Sequence, residues 1–288
     1  MLDTINDTRE TELTEESKTD ILNKDKQQPN TVTEQAAGVG VFETMKVSEN
    51  GIEVPHLHWI RMKKGGDILG IEMPPFPAWL TTIKKYLQET DVPEEVPFAL
   101  RVEARVVNKN SVIWSMRTRP IPYTEEHYAL GVNVVYISER RSDPVLLNDI
   151  KSRDYLDTET ALRKVQENGA FEGIWLNSQG HIMEGTRSNI FFIGDRGVYT
   201  PTLASGCLAG TRRQLIKEAA MVRHIPFIED QISPQDIYQV RAVFLTNALM
   251  GIMPVRLIED IPFGVDNEIV SQLKEYISKR IGSVNSVD

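Results

Sequence analysis

A single cysteine, Cys207, stands among 288 residues, so no disulfide closes within the chain and nothing in its composition calls for an oxidising compartment. No apolar run approaches the length of a bilayer span, and the first thirty residues show no basic-then-apolar leader pattern. The expectation is a cytoplasmic protein that engages no membrane. Positive charge is in deficit. Lys and Arg number 32 against 41 Asp and Glu, and the net charge of −9 offers no overall attraction to a nucleic acid. His56 and His58 have no acidic or cysteine neighbour at ligand spacing in the sequence, so no metal site is expected. The first thirty residues also lack any aromatic side chain. Such a segment buries too little to offset the entropy of ordering, and residues 1–34 read as a disordered acidic tail.

What is present is an ordinary globular composition, 41% hydrophobic and 25% charged, long enough for two domains. Residues 35–139 read as a small N-terminal domain. "VGVFETMKV" and "GIEVPHLHW" flank the turn "SENG". Helical patterns run from His56 to about Ile71 and through "PAWLTTIKKYLQE", and "FALRVEARVVNKNSVIWSMR" reads as two strands. "GVNVVYISE" is a further strand of this half. Charge, Asp-Pro and weak periodicity make 140–149 the expected interdomain linker. Residues 150–288 read as a larger mixed β and α domain, its strands joined by short hairpins and not by regular βαβ crossovers. A helix after Lys151, an amphipathic helix over "TRRQLIKEAAMVRH" and a closing helix over "NEIVSQLKEYISKRI" complete it. The fold class is α+β.

Several residues in the second half stand out. Lys151 sits where the linker meets a helix, and Glu184 follows thirty-three residues later in "IMEGTRSNIFF". "GCLAGTRR" then opens a helix, and "TNALMGIMPV" forms a later strand and loop. In the first half, "HWIRM" puts His58 and Arg61 on one helix face. Singly, each is ordinary: a solvated lysine, a turn carboxylate, a glycine-containing loop. Together they meet the demands of one cofactor. Pyridoxal phosphate requires a lysine for its Schiff base, a carboxylate facing its ring nitrogen, and backbone N–H groups plus an arginine for its phosphate.

In these pieces and their order, from about Gly38 to Pro254, the sequence resembles the class IV aminotransferases. These are fold-type IV pyridoxal phosphate enzymes, among them branched-chain and D-amino acid aminotransferases and aminodeoxychorismate lyases. The resemblance implies a two-domain fold and a homodimer. It implies Lys151 as the Schiff-base lysine, Tyr155 as a cofactor-binding residue, Glu184 at the ring nitrogen, and Arg61, Gly210, Thr211 and Arg212 about the phosphate. Asn247 falls where the family places a small polar cofactor contact in the later loop. Gly38-Val39-Gly40 departs from the family's Gly-Asp-Gly.

Within the family, "FETM", the short Lys151-to-Tyr155 spacing and "TNALMGIMPV" lean toward the lyase branch. Thr44 then lies on the substrate side. The implied activity releases 4-aminobenzoate and pyruvate from aminodeoxychorismate, and Arg101, Arg105, Arg153, Arg187 and Arg212 are candidates for binding its two carboxylates. The alternative is an aminotransferase acting on branched-chain or D-amino acids. A non-catalytic relative is a third reading, opposed by the presence of both Lys151 and Glu184.

Overall fold

The computed structural model describes residues 40–108, 111–141 and 156–284. The chain divides into two compact units with the break between Pro120 and Ile121.

The first unit carries strands β1 (Gly40–Ser48), β2 (Gly51–Ile52), β3 (Phe98–Asn108) and β4 (Ser111–Pro120), antiparallel in the order β2-β1-β3-β4. Helix α1 (Pro55–Leu69) packs against β1, and α2 (Phe76–Glu89) against α1. Strand periodicity explains β1. Val41, Glu43, Met45 and Val47 point to the buried face, whereas Thr44, Lys46 and Ser48 on the other face are half-buried. Proline in its first turn sets the start of α1, and Gly70 in the left-handed region at φ 70° ends it. Met45, Met62, Ile83 and Leu100 are almost fully buried in this unit.

The second unit holds a nine-stranded mixed sheet built from β5 (Val132–Arg141), β6 (Glu172–Asn177), β7 (Ile182–Gly185), β8 (Asn189–Gly194), β9 (Gly197–Pro201), β10 (Phe227–Asp230), β11 (Ala242–Asn247), β12 (Gly251–Ile258) and β13 (Ile261–Pro262). The order is β10-β9-β8-β11-β12-β5-β6-β7, with β13 on β12. Its helices are α3 (Glu125–Leu130), α4 (Leu156–Glu167), α5 (Thr211–Val222) and α6 (Glu268–Val284). Ile190, Phe192, Val243, Leu245, Met253 and Val255 centre its core, joined by Val132 and Val134 from β5.

Two sequence expectations change here. The break between units lies before the expected 140–149 linker, so residues 121–139 belong to the second unit and not to a domain ending at 139. Strand β5 decides this, because it pairs in parallel with both β6 and β12. A proline-bracketed step, Pro120-Ile121-Pro122, marks the true break, and proline biases the residue before it toward extended backbone. The tail and nearly all of the expected linker lie outside the described residues. Second, hairpins do not make every link. β5 and β6 are parallel with α4 between them, as are β9 and β10 with α5 between them, so two strand–helix–strand crossovers are present. Among the described residues no helix is long and apolar enough to cross a membrane.

Candidate active site

In the second unit the candidate site is built from short loops that side-chain hydrogen bonds tie together. Glu184 sits in β7, paired across the hairpin with Trp175. Its carboxylate accepts the Leu208 backbone N–H at 2.9 Å and Arg141 Nη1 at 3.3 Å, and it is buried. The Arg141 guanidinium lies 5.5 Å above the Trp175 ring. The carboxylate is thus tied to the loop that precedes α5.

The turn after Glu184 wraps around a second acid, Glu172. Its Oε1 accepts the Arg187 backbone N–H at 2.6 Å, Ser188 Oγ at 2.9 Å and Thr186 Oγ1 at 3.3 Å. Burial pushes the Glu172 carboxyl pKa up, and the hydrogen bonds counter that only in part. Gly185 is compelled by this packing, since a Cβ there would stand 2.4 Å from both Glu172 Oε1 and Ser188 Oγ. The same turn is closed locally by the Gly185 N–H, which donates to the Ser188 carbonyl at 2.8 Å.

Asn189 carries the link onward by donating Nδ2 to the Leu208 carbonyl at 2.8 Å. Its Oδ1 would lie 2.1 Å from a Cβ on Gly210, so residue 210 stays glycine for this contact. Gly210 is the N-cap of α5 and brings no side-chain acceptor to the helix start. The positive end of the α5 dipole therefore receives no side-chain cap from residue 210, and a helix N-terminus favours an anion. Thr211 opens the helix and is buried. Arg212 is buried as well and donates Nη2 to the Ala248 carbonyl at 3.1 Å, which ties α5 to the β11–β12 loop. Arg213 turns the other way, toward the Pro201 carbonyl and Glu229. Cys207 packs beneath the loop, and burial, with the nearby Glu184 charge, raises its thiol to about 12.

Asn247 closes the ring. Its Oδ1 accepts the Leu249 and Met250 N–H groups, both at 2.9 Å. Its Nδ2 donates to the Arg187 carbonyl at 3.1 Å and to Tyr123 Oη at 3.3 Å. The sequence places Asn247 as a cofactor contact, but these four bonds commit its amide to the protein. It organises the loop. Residues 184–189, 207–212 and 247–250 are thereby cross-tied by side-chain bonds.

The first unit places Thr44 and Arg61 on elements that touch. His58 and Arg61 lie three residues apart on α1, facing Glu43 of β1. Arg61 donates Nε to Glu43 Oε1 and Nη2 to Glu43 Oε2, each at 2.6 Å, and His58 Nδ1 stands 2.6 Å from Oε2. Glu43 is fully buried. Burial pushes its carboxyl up, but Arg61 and His58 outweigh that and lower it to about 2. Thr44 faces the opposite side of β1 in cross-strand register with Arg101 of β3, which pairs in turn with Arg117 of β4. Arg101 stacks 3.6 Å above the Phe42 ring and is bonded to Glu103 at 3.0 Å. Arg105 is half-buried, and the Arg187 side chain is exposed. Lys151, Arg153 and Tyr155 lie outside the described residues.

The family profile described as Amino-transferase class IV matches residues 40–258. The chain belongs to the class IV aminotransferases, and it is an enzyme of that class. The aminodeoxychorismate lyase of Bacillus subtilis (strain 168) is 26% identical over 259 residues, covering 85% of this chain and 86% of that protein. A probable branched-chain-amino-acid aminotransferase of Thermotoga maritima is 24% identical, covering 77% of this chain and 78% of its own length. Among solved structures, a hypothetical aminotransferase from Mycobacterium tuberculosis in its PLP-bound form superposes with a TM-score of 0.73. It is 19% identical, covers 85% of this chain and 89% of the other, and shares the fold.

Sequence reasoning about this class IV aminotransferase missed Glu43, Glu172 and Arg141. Glu43 carried a signal, an acid on the apolar side of an alternating strand three residues after Gly40. A buried charge of that kind demands partners. Glu172 and Arg141 gave none, because their roles come from pairings at long sequence separation.

Proposed function

We propose that this class IV enzyme binds pyridoxal 5′-phosphate and acts as an aminodeoxychorismate lyase, releasing 4-aminobenzoate and pyruvate. One observation carries the cofactor reading. The Glu184 carboxylate is hydrogen-bonded to Leu208, two residues before the glycine that opens α5. An acceptor for a protonated ring nitrogen and a helix start with glycine at its N-cap are thus joined in one bonded loop system, which fits the group.

When bound, the cofactor supplies an electron sink for the bonds around the substrate's amine-bearing carbon. The chain does the rest. Glu184 holds a proton at the ring nitrogen, and Arg141, beside it, keeps the carboxylate oriented. Thr211, the Gly210–Thr211 backbone and Arg61 hold the phosphate, and Arg212 fixes the helix start that presents it. Tyr155 is assigned to cofactor binding. Lys151 Nζ moves the proton, taking one from the substrate's ring carbon and delivering one to the enolpyruvyl group. Thr44 is assigned to the substrate side, in cross-strand register with Arg101 of β3.

The lyase assignment rests on the lyase relative that spans most of this chain. The branched-chain aminotransferase relative supports the second reading, in which the same residues serve and a 2-oxo acid accepts the amino group. We assign a small amino substrate and a homodimer to either. The deciding experiment supplies aminodeoxychorismate to the cofactor-loaded enzyme with no 2-oxo acid. Formation of 4-aminobenzoate supports the lyase. Turnover only with 2-oxoglutarate or pyruvate and an amino acid identifies the aminotransferase.

A further inference from the structure

Glu43 is a fully buried acid of the first unit, and the reaction above gives it no task. It sits among Val41, Met45 and Val47 on the core face of β1, a costly place for a carboxylate. Packing alone is served by a hydrophobic residue there. What the acid adds is a grip on Arg61 at two points of the guanidinium, Nε and Nη2, each at 2.6 Å. Two parallel N–H···O bonds fix the plane and the rotation of an arginine in a way that one bond does not. His58 holds the same carboxylate from the side, with Nδ1 at 2.6 Å from Oε2. Because Glu43 accepts from Arg61 and is ionised at neutral pH, the His58 ring donates to it through Nδ1–H. The carboxylate cannot rotate without breaking bonds to two side chains that α1 sets three residues apart.

We infer that Glu43 is a positioning residue, steadied by His58, that aims the Arg61 guanidinium at the phosphate of the cofactor. The inference rests on the cofactor reading above and adds to it the group that orients the anion contact. Pre-orientation lowers the entropy lost by a long side chain on binding, so its benefit is confined to ligands that carry the phosphate.

The test compares two ligands on the full-length apoprotein. Dissociation constants are measured by titration for pyridoxal 5′-phosphate and for pyridoxal, which has no phosphate. In Glu43→Gln, affinity for the phosphorylated ligand is expected to fall about tenfold or more, with pyridoxal binding unchanged. In an Arg61→Met background the same Glu43→Gln change is expected to have no further effect on either ligand. Equal losses for both ligands, or an undiminished loss in the Arg61→Met background, overturn the assignment and leave Glu43 a structural acid. If Glu43→Gln does not fold, His58→Gln substitutes for it. It leaves both Arg61–Glu43 bonds in place and is expected to weaken phosphate-dependent affinity by about threefold, again sparing pyridoxal. Loss of both ligands equally in that variant overturns the assignment too. Wild-type protein that binds neither ligand defeats the cofactor reading itself, an outcome distinct from a failure of Glu43 to discriminate them.

Discussion

Replacing Gly185 by alanine adds one methyl group at the most crowded turn of the second unit. The new Cβ would stand 2.4 Å from Glu172 Oε1, 2.4 Å from Ser188 Oγ and 3.0 Å from Glu172 Cδ. Neither oxygen is the free end of a mobile side chain. Glu172 Oε1 is held by the Arg187 N–H at 2.6 Å and by Ser188 Oγ at 2.9 Å, and relieving the clash means breaking one or both. Overpacking costs about 1–3 kcal/mol, and losing a bond to a buried carboxyl adds about 1–3 kcal/mol. Alanine returns about 0.4–1 kcal/mol by restricting the unfolded chain. The net expectation is a destabilisation of about 1–5 kcal/mol. Urea unfolding measures it as a lower midpoint with an unchanged slope. Gly282→Ala is the control, because nothing lies within 4 Å of its Cβ position and it sits in α6. That change should stabilise by up to about 1 kcal/mol. A shift smaller than about 0.5 kcal/mol for Gly185→Ala, within the ordinary range for surface changes, refutes the claim that Glu172 organises this turn.

Four further outcomes follow from the bonds and burial described above. Glu43 is lowered from 4.5 to about 2, so its stabilisation is complete above pH 4.5 and fades as pH falls toward 2. That component is on the order of 3 kcal/mol and should be missing from the acid limb of Glu43→Gln in pH-dependent denaturation. Glu172 has the opposite sign: its raised folded pKa makes stability fall as pH climbs above 4.5, a slope that Glu172→Gln should remove. Asn247→Ala forfeits two backbone N–H acceptances and the bond to the Arg187 carbonyl, and should cost about 2 kcal/mol by thermal unfolding. Cys207, with its thiol at about 12 and buried, should react with an aromatic disulfide at pH 8 only after denaturant is added. Rapid labelling of the native protein contradicts that.

The pieces of the fold that were legible share a cause, which is local periodicity. Alternation in "VFETMKV" gave β1, and apolar spacing in "TRRQLIKEAAMV" gave α5, because both patterns are written within one element. The domain boundary was illegible for the converse reason. Val132–Arg141 reads as a strand, but its membership of the second sheet depends on partners at 172–177 and 251–258. The same division runs through the site. Glu184, Arg61 and the Gly210–Thr211 turn were visible as motifs, each a residue type at a fixed local offset. Their supports were not. Glu43 grips Arg61 across eighteen positions and meets His58 across fifteen, and Glu172 holds a turn fourteen to sixteen residues away. Asn247, expected as a cofactor contact, spends its amide on four bonds within the protein, and those bonds appear only once three loops meet.

Lys151 is where the central claim is most exposed, because it carries the chemistry assigned to the cofactor. The direct measurement is borohydride reduction of the cofactor-loaded protein followed by peptide mass analysis. The account predicts a pyridoxyl adduct on the peptide containing Lys151, with loss of the visible absorbance, and no adduct in Lys151→Ala. Absence of an adduct on that peptide, or its appearance on a different lysine in the wild-type protein, contradicts the account.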